Sequence, residues 1–294
     1  MSEQHLMEVI KLHQERLKPF IKEGFEVTPD KVFKKGSLEL FKILDEMVSK
    51  VLLEGSVFKN IQNLQELLEK AEAGKRCIIL PEHYSNFDYP CMQHLMRKAG
   101  MTELAERCIA IAGLKLAEEN PYISILTDSY DMIYVYPGRS IYAIQDPEKK
   151  ASEVKRCKAI NIASMRLLNE VRDEGRIVVV FPTGTRYRPG KPETKKGMRE
   201  IDSYIKSSDY MMLVSINGNC LEISQSGDMG QDIVKKDKII LDASPVIDCA
   251  EFRKNIIAGV PDGEDRKQAI VDAVMDELET MHIKNEAEQK REGK

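Results

Sequence analysis

The spacing of the hydrophobic residues changes near residue 74. Before this point, apolar residues recur at helical spacing and leave one apolar face on each helix. The three helical stretches run over 6–17, 32–53 and 61–68. Thr28-Pro29 is typical of a helix start, because threonine caps helices and proline suits the first helical position. We therefore predict that residues 1–73 are helical throughout and form a small N-terminal helical domain.

After residue 74, short apolar runs alternate with longer helical patterns. The six predicted strands are 76–80, 107–112, 132–136, 177–181, 210–216 and 238–242. Helices are predicted from 147 to 174 and in the charged tail from 263 to 294. Alternation of this kind is typical of an α/β fold. We expect a largely parallel central sheet flanked by helices, in a domain that spans 74–294.

Composition narrows the class of protein. The 294 residues carry a formal net charge of -4, so no overall basic field would attract nucleic acid. The apolar runs are too short to cross a membrane, and the N-terminus lacks a signal pattern. The six cysteines are widely spaced, with Cys77 and Cys91 the nearest pair, which excludes a zinc knuckle. We expect a cytoplasmic protein without a metal site or a nucleic-acid partner.

The first candidate for chemistry follows the apolar run 77–80. Pro81 ends that strand, and His83 and Asp88 follow it, five positions apart. Ligands usually bind at such a junction in an α/β sheet. Histidine exchanges a proton near neutral pH, and a carboxylate can orient its ring. We predict that His83 is a general base oriented by Asp88. The alternative is a surface histidine beside a helix-capping aspartate.

Three arginines follow predicted strands. Arg186 and Arg188 come after strand 177–181 at alternating positions, so both would point the same way in an extended loop. Two guanidinium groups on one side can grip a phosphate. Arg139 stands in a Pro-Gly turn after strand 132–136. The alternative is that these arginines are solvated surface residues.

Small residues precede the paired arginines. Gly184 would let a ligand approach the backbone, while Thr183 and Thr185 offer hydroxyl and N–H groups. A histidine base with separate phosphate-binding arginines suits the activation of a hydroxyl group on a phosphorylated acceptor.

Three segments, in order, resemble the sequence blocks of the glycerolipid acyltransferases. Residues 83–88 match their H-x4-D block, 133–139 resemble their second block with its arginine, and 181–186 resemble their F-P-E-G-T-R block. Residues 214–216 stand where the fourth block, V-P-[IV], is expected. Thr183 replaces the glutamate of the third block. A small hydroxyl residue at this position, followed by Arg-x-Arg, resembles the corresponding block of the soluble, plastid-type glycerol-3-phosphate acyltransferases.

The resemblance implies a reaction in phospholipid biosynthesis. A fatty acyl group would pass from acyl-CoA or acyl-carrier protein to the sn-1 hydroxyl of glycerol 3-phosphate, giving lysophosphatidate. His83 would remove the hydroxyl proton while Asp88 orients the ring. The implied substrate-binding residues are Arg139, Thr183, Gly184, Thr185, Arg186 and Arg188. No cofactor and no metal are implied. Because the product is a lipid intermediate, transient peripheral contact with a membrane surface is expected.

Three other functions are alternatives to this interpretation. An sn-2 acyltransferase would use 1-acylglycerol 3-phosphate, and Thr183 and the lack of a hydrophobic N-terminal anchor argue against it. A noncatalytic phospho-ligand binding protein would use the arginines and leave His83 incidental. A nucleic-acid module conflicts with the acidic charge balance.

Overall fold

The computed structural model of the protein describes residues 4–21, 25–117, 121–142 and 144–292. The strands in this part of the chain are β1 Gln4–His5, β2 Phe33–Lys34, β3 Val57–Lys59, β4 Cys77–Pro81, β5 Cys108–Gly113, β6 Met132–Val135, β7 Ile177–Val179, β8 Tyr210–Asn217, β9 Leu221–Glu222, β10 Ile233–Val234, β11 Ile240–Ala243 and β12 Ile247–Asp248. All six predicted strands are confirmed, with ends that differ by a few residues.

Helices occupy much of the remaining described chain. The α-helices are α1 Leu6–Leu12, α2 Gln14–Leu17, α3 Leu38–Val51, α4 Ile61–Glu72, α5 Asp88–Lys98, α6 Thr102–Arg107, α7 Leu114–Ala117, α8 Pro121–Asp128, α9 Arg139–Tyr142, α10 Pro147–Asp173, α11 Ile201–Lys206, α12 Cys249–Ala258 and α13 Arg266–Glu292. Short 3-10 turns lie at Lys18–Phe20, Pro192–Lys195 and Met229–Gln231.

One large sheet organises the molecule. Its strand order is β2-β6-β5-β7-β4-β8-β11-β3, and β12 also pairs with β8. The five strands from β6 to β8 in this order are parallel to one another. β2 is antiparallel to β6, and β11 and β12 are antiparallel to β8. The predicted α/β fold, with a largely parallel central sheet flanked by helices, is confirmed. β1, β10 and β9 form a separate small antiparallel sheet.

The sequences of the central strands are continuously apolar, because helices cover both faces of the sheet. The side chains of residues 77–80 in β4 and 177–179 in β7 are all fully buried. α10 is hydrogen-bonded to β6, since the Ser164 hydroxyl donates to the carbonyl of Tyr134 at 2.6 Å. On α13, the apolar side chains of Ile270, Val274 and Leu278 are buried. The central strands are thus packed on both faces, and the turns that carry the candidate residues begin at their ends.

The expectation that residues 1–73 are helical throughout is wrong, because three short strands lie in this part of the chain. β1 pairs with β10 of the small sheet, whereas β2 and β3 pair with β6 and β11 of the central sheet. The division into domains 1–73 and 74–294 stays a prediction, and any N-terminal folding unit gives two strands to the main sheet.

The predicted helix start at Thr28-Pro29 is also wrong. Thr28 pairs with Lys31 across a tight turn, and α3 begins later, where the Ser37 hydroxyl accepts from the N–H of Leu40 at 3.2 Å. The chain packs closely just before α3, because a Cβ atom at Gly36 would lie 2.6 Å from the backbone of Tyr130.

No helix in the described part of the chain combines the length and the apolar character that a membrane span requires.

Candidate active site

The two candidate segments leave neighbouring strands at the same edge of the sheet. β4 and β7 are parallel partners, with Ile79 opposite Val179. Residues 82–88 follow β4, and residues 180–191 follow β7. The N–H of Val180 donates to the carbonyl of Ile79 at 3.1 Å, so the pairing continues into the turns. Because the carboxyl ends of parallel strands meet at one edge, the sheet brings together segments that are distant in sequence.

His83 and Asp88 form a hydrogen-bonded pair. Nδ1 of His83 lies 3.0 Å from Oδ2 of Asp88, which is 5% exposed. The N–H groups of Tyr84 and Ser85 also donate to this oxygen, at 2.6 and 2.8 Å, and the Ser85 hydroxyl donates to Oδ1 at 3.0 Å. A carboxylate accepts hydrogen bonds, so Nδ1 carries the ring proton in this pair. Nε2 of His83 is then the atom that can accept a proton.

His83 also contacts the second segment directly. Its ring stacks on Phe181, with centroids 4.1 Å apart and planes 28° from parallel. Its carbonyl accepts from the N–H of Tyr187 at 2.8 Å. The histidine and the arginine-containing loop therefore lie in contact with each other.

The turn between β7 and the arginines is closed by its own hydrogen bonds. The buried Thr183 hydroxyl donates to the carbonyl of Thr185 at 2.6 Å, and the N–H of Gly184 donates to the carbonyl of Phe181 at 2.9 Å. Gly184 has a φ of 55°, and a Cβ atom there would lie 2.3 Å from Cε of Met198. Both the backbone conformation and the close packing favour glycine at this position.

The two loop arginines have different surroundings. Arg186 is 8% exposed, and its Nη1 forms an ion pair with the buried Asp232. Arg188 is half-buried, and its Nε is buried without a hydrogen-bond partner among the described residues. Its backbone N–H donates to the Thr194 hydroxyl at 2.9 Å. Phosphate binding by either arginine stays a prediction, and Arg188 is the one whose side chain has no partner in the described chain.

Arg139 is the remaining predicted site residue. It begins α9, which follows β6, and β6 is separated from β7 by β5 in the sheet. The Arg139 side chain lies outside what the structure describes, so its predicted role stays a prediction.

Three residues beside the dyad escaped the sequence analysis. Glu82 and Tyr84 flank His83, and His282 lies on α13. Glu82 is 4% exposed, and its Oε2 lies 2.9 Å from Nδ1 of His282. The Tyr84 hydroxyl donates to Oε1 of Glu82 at 2.8 Å. The only signal in the sequence was the position of Glu82, a charged residue directly after a buried strand. Its pairing with His282 could not be predicted, because the two residues are far apart in the chain.

This cluster changes the acidity of two of its members. Burial and the charge of Glu82 raise the pKa of Tyr84 far above its ordinary value, so the hydroxyl remains a donor. Burial alone would lower the pKa of His282. The hydrogen bond and the negative charge of Glu82 outweigh that effect, and the pKa of His282 rises above its ordinary value of 6.5. A protonated His282 therefore pairs with Glu82 over a wider pH range than an isolated histidine would allow.

A comparison with known protein families identifies the family of the protein. A family model described as acyltransferase matches residues 57–210, which is more than half of the chain and includes both candidate segments. The chain belongs to the acyltransferase family. Among curated proteins, none matches the chain. The acyltransferase region thus contains the predicted dyad and the arginine loop.

An acyltransferase needs an acyl donor, an acceptor and a means of removing the acceptor's proton. Nε2 of His83 is the candidate acceptor of that proton, because Asp88 is bonded to the other ring nitrogen. Within the described residues, no group of three or more His, Cys, Asp or Glu side chains could hold a metal ion.

Proposed function

We propose that this acyltransferase moves a fatty acyl group from acyl-CoA or acyl-carrier protein to the sn-1 hydroxyl of glycerol 3-phosphate. The product is lysophosphatidate, a precursor in phospholipid biosynthesis. The observation that carries the proposal is the contact between the dyad and the arginine loop. His83 stacks on Phe181, two positions before Thr183, in a chain of the acyltransferase family.

The reaction is a direct transfer without an acyl-enzyme. Nε2 of His83 accepts the hydroxyl proton as the hydroxyl oxygen attacks the thioester carbonyl. The new C–O bond forms, the C–S bond breaks, and the leaving thiolate takes the proton from His83. Asp88 keeps Nδ1 protonated and stabilises the positive charge that develops on the ring.

The acceptor's phosphate is assigned to the arginines of the loop and of the turn after β6. Arg188 is the main candidate, because its side chain has no hydrogen bond or ion pair among the described residues. Arg186 contributes its remaining nitrogens, since Nη1 is bonded to Asp232. Arg139 completes the predicted set. A guanidinium fork matches the oxygens of a phosphate and fixes the distance between phosphate and hydroxyl.

The choice of glycerol 3-phosphate over a lysophospholipid acceptor rests on Thr183. A hydroxyl residue followed by Arg-x-Arg resembles the plastid-type enzymes, whereas most sn-2 enzymes carry glutamate at this position. The Thr183 hydroxyl closes the turn by donating to the carbonyl of Thr185. A carboxylate could not make this bond, so the residue at 183 affects the shape of the loop.

The test offers two acceptors to the purified protein. Labelled palmitoyl-CoA or palmitoyl-acyl-carrier protein is supplied with glycerol 3-phosphate or with 1-acylglycerol 3-phosphate, and the lipid products are separated. We expect lysophosphatidate from the first acceptor, with its formation lost in His83→Ala. His94→Ala is the matched control, because His94 also pairs with an aspartate, Asp45, at 2.9 Å, but lies within α5.

Each other outcome overturns a defined part of the proposal. Phosphatidate from the second acceptor alone would assign the protein to the sn-2 enzymes. Turnover that survives His83→Ala would remove His83 as the base. No product with either donor would reject glycerolipid acylation by this site.

A further inference from the structure

Glu82 is a buried carboxylate directly next to the proposed base. Its two oxygens receive three partners from three parts of the chain. Oε2 accepts from the N–H of Ile216 in β8 at 2.8 Å and pairs with His282 of α13 at 2.9 Å. Oε1 accepts from the Tyr84 hydroxyl at 2.8 Å. A carboxylate that is 4% exposed requires such partners, because an unpaired buried charge is strongly destabilising.

His282 is held in position from several sides. Its carbonyl accepts from Nδ2 of Asn217 at 3.1 Å, which ties this turn of α13 to the end of β8. Its ring lies 5.4 Å from the ring of Tyr84, and its Nε2 faces Glu286 at 3.9 Å. The imidazole is therefore wedged between its own helix and the segment that carries His83.

Tyr84 connects this cluster to the dyad. Its hydroxyl donates to Glu82, while its backbone N–H donates to Oδ2 of Asp88 at 2.6 Å. The same Asp88 oxygen accepts from His83. Tyr84 thus links Glu82, through its hydroxyl, to Asp88, through its backbone N–H. Glu82 and Tyr84 are also the residues directly before and after His83 in the chain.

We propose that His282 is a positioning residue for the acyltransferase reaction: through Glu82 and Tyr84 it holds His83 and Asp88 in the geometry that proton removal requires. α13 is then part of the active site through its contacts with Glu82 and Tyr84. The kinetic test of this inference rests on the proposed function. The hydrogen-exchange test requires no acyl transfer and depends on the structure alone.

Two changes at position 282 separate the hydrogen bond from the shape of the side chain. His282→Leu fills much of the space but leaves Oε2 of Glu82 without its donor from α13. His282→Asn keeps a donor, because an amide nitrogen can occupy the region of Nδ1. We expect His282→Leu to lower kcat about tenfold to a hundredfold, as misplaced catalytic groups do. The KM values for both substrates should change little, and His282→Asn should retain most of the wild-type kcat.

Asn285 supplies the matched control on the same helix. It is fully buried and donates to the Ser215 hydroxyl and to Asp242, both at 3.1 Å, and none of its hydrogen bonds in the described chain goes to the 82–88 segment. Asn285→Leu removes polar anchors of α13 and should lower the melting temperature while leaving kcat close to the wild-type value. Equal losses of kcat in His282→Leu and Asn285→Leu would mean that α13 acts through stability alone, which overturns the proposal.

Amide hydrogen exchange tests the same inference without substrate. His282→Leu should accelerate exchange at residues 83–88, where the N–H groups of Tyr84 and Ser85 are bonded to Asp88. Asn285→Leu and His282→Asn should not. If the wild-type protein shows no acyl transfer, the proposed function fails, and the exchange pattern alone still decides whether His282 positions the segment. Unchanged exchange in His282→Leu would overturn the inference.

Discussion

The imidazole of His83 lies against the phenyl ring of Phe181, with the centroids 4.1 Å apart. His83 follows β4 and Phe181 follows β7, so this contact joins the turns of two neighbouring parallel strands. With Nδ1 bonded to Asp88 and one face covered by Phe181, the orientation of the ring is determined on two sides. The predicted base therefore lies in contact with the segment that leads into the predicted anion-binding loop.

Removing the base should abolish chemistry and spare acceptor binding. We expect His83→Ala to lower kcat by about 10²–10⁴, the usual contribution of a general base. The KM of the acceptor should stay close to the wild-type value, because the proposed phosphate contacts are unchanged. Steady-state kinetics with glycerol 3-phosphate measures both quantities. A kcat near the wild-type value would assign the proton transfer to another group.

Removing Arg188 should weaken acceptor binding without lowering stability. A charge-assisted hydrogen bond contributes about 1.5–3 kcal/mol, so Arg188→Ala should raise the acceptor KM at least about tenfold. Arg107→Ala is the control, because Arg107 precedes β5 at the opposite edge of the sheet and pairs with Glu103. Initial rates measured over a range of acceptor concentrations give the acceptor KM of each variant. An acceptor KM that stays flat in Arg188→Ala would exclude this residue from phosphate binding.

Arg186 should behave differently from Arg188. Arg186→Ala leaves the carboxylate of Asp232, which is 1% exposed, without its cation. Breaking a buried ion pair from one side costs about 3–5 kcal/mol, and urea unfolding measures the loss. Arg188→Ala should change the free energy of unfolding by less than about 0.5 kcal/mol. Equal stability of the two variants would show that the pair with Asp232 contributes little to folding.

Gly184 should tolerate alanine poorly. A residue with a side chain pays about 1–2 kcal/mol for the left-handed conformation, and the new Cβ also meets Met198. We expect Gly184→Ala to lower stability and to raise the acceptor KM, because the arginines follow directly. Adding Met198→Ala should remove the loss of stability that comes from the clash with Met198. The loss that comes from the left-handed backbone conformation should remain. A double variant as stable as one with Met198→Ala alone would contradict this account of the φ angle.

The ion pair between His282 and Glu82 should make stability depend on pH. The pKa of His282 is raised in the folded protein. Its contribution is therefore complete below the unfolded value of 6.5 and is lost as the pH rises through the folded value. The melting temperature should fall over that interval, and His282→Asn should remove this component of the fall.

The other charged groups near His282 do not reverse this sign. Glu286 lies on the same helix and favours the protonated ring, whereas Lys195 opposes it from the turn after the arginine loop. Lys195 is itself paired with Glu279. Identical pH profiles for the wild type and His282→Asn would show that the pair does not titrate in this interval.

The sequence by itself determined the elements whose signals are local. Continuous apolar runs identified the central strands, because residues buried on both faces need no alternation. The pair His83 and Asp88 could be recognised because the two residues are only five positions apart. The strand-to-helix turn between them brings their side chains within hydrogen-bonding distance. The arginine loop could also be recognised from a local signal, because it directly follows a buried strand.

Only the tertiary structure decided which distant segments meet. β2 was missed because two residues at the sheet edge carry too little pattern to distinguish a strand from a helix end. Arg186 and Arg188 look alike in sequence, but Asp232 pairs with just one of them. His282 was missed because its partner Glu82 is 200 positions away. Such contacts depend on strand order and on the packing of whole helices, which are properties of the complete fold and not of any local stretch.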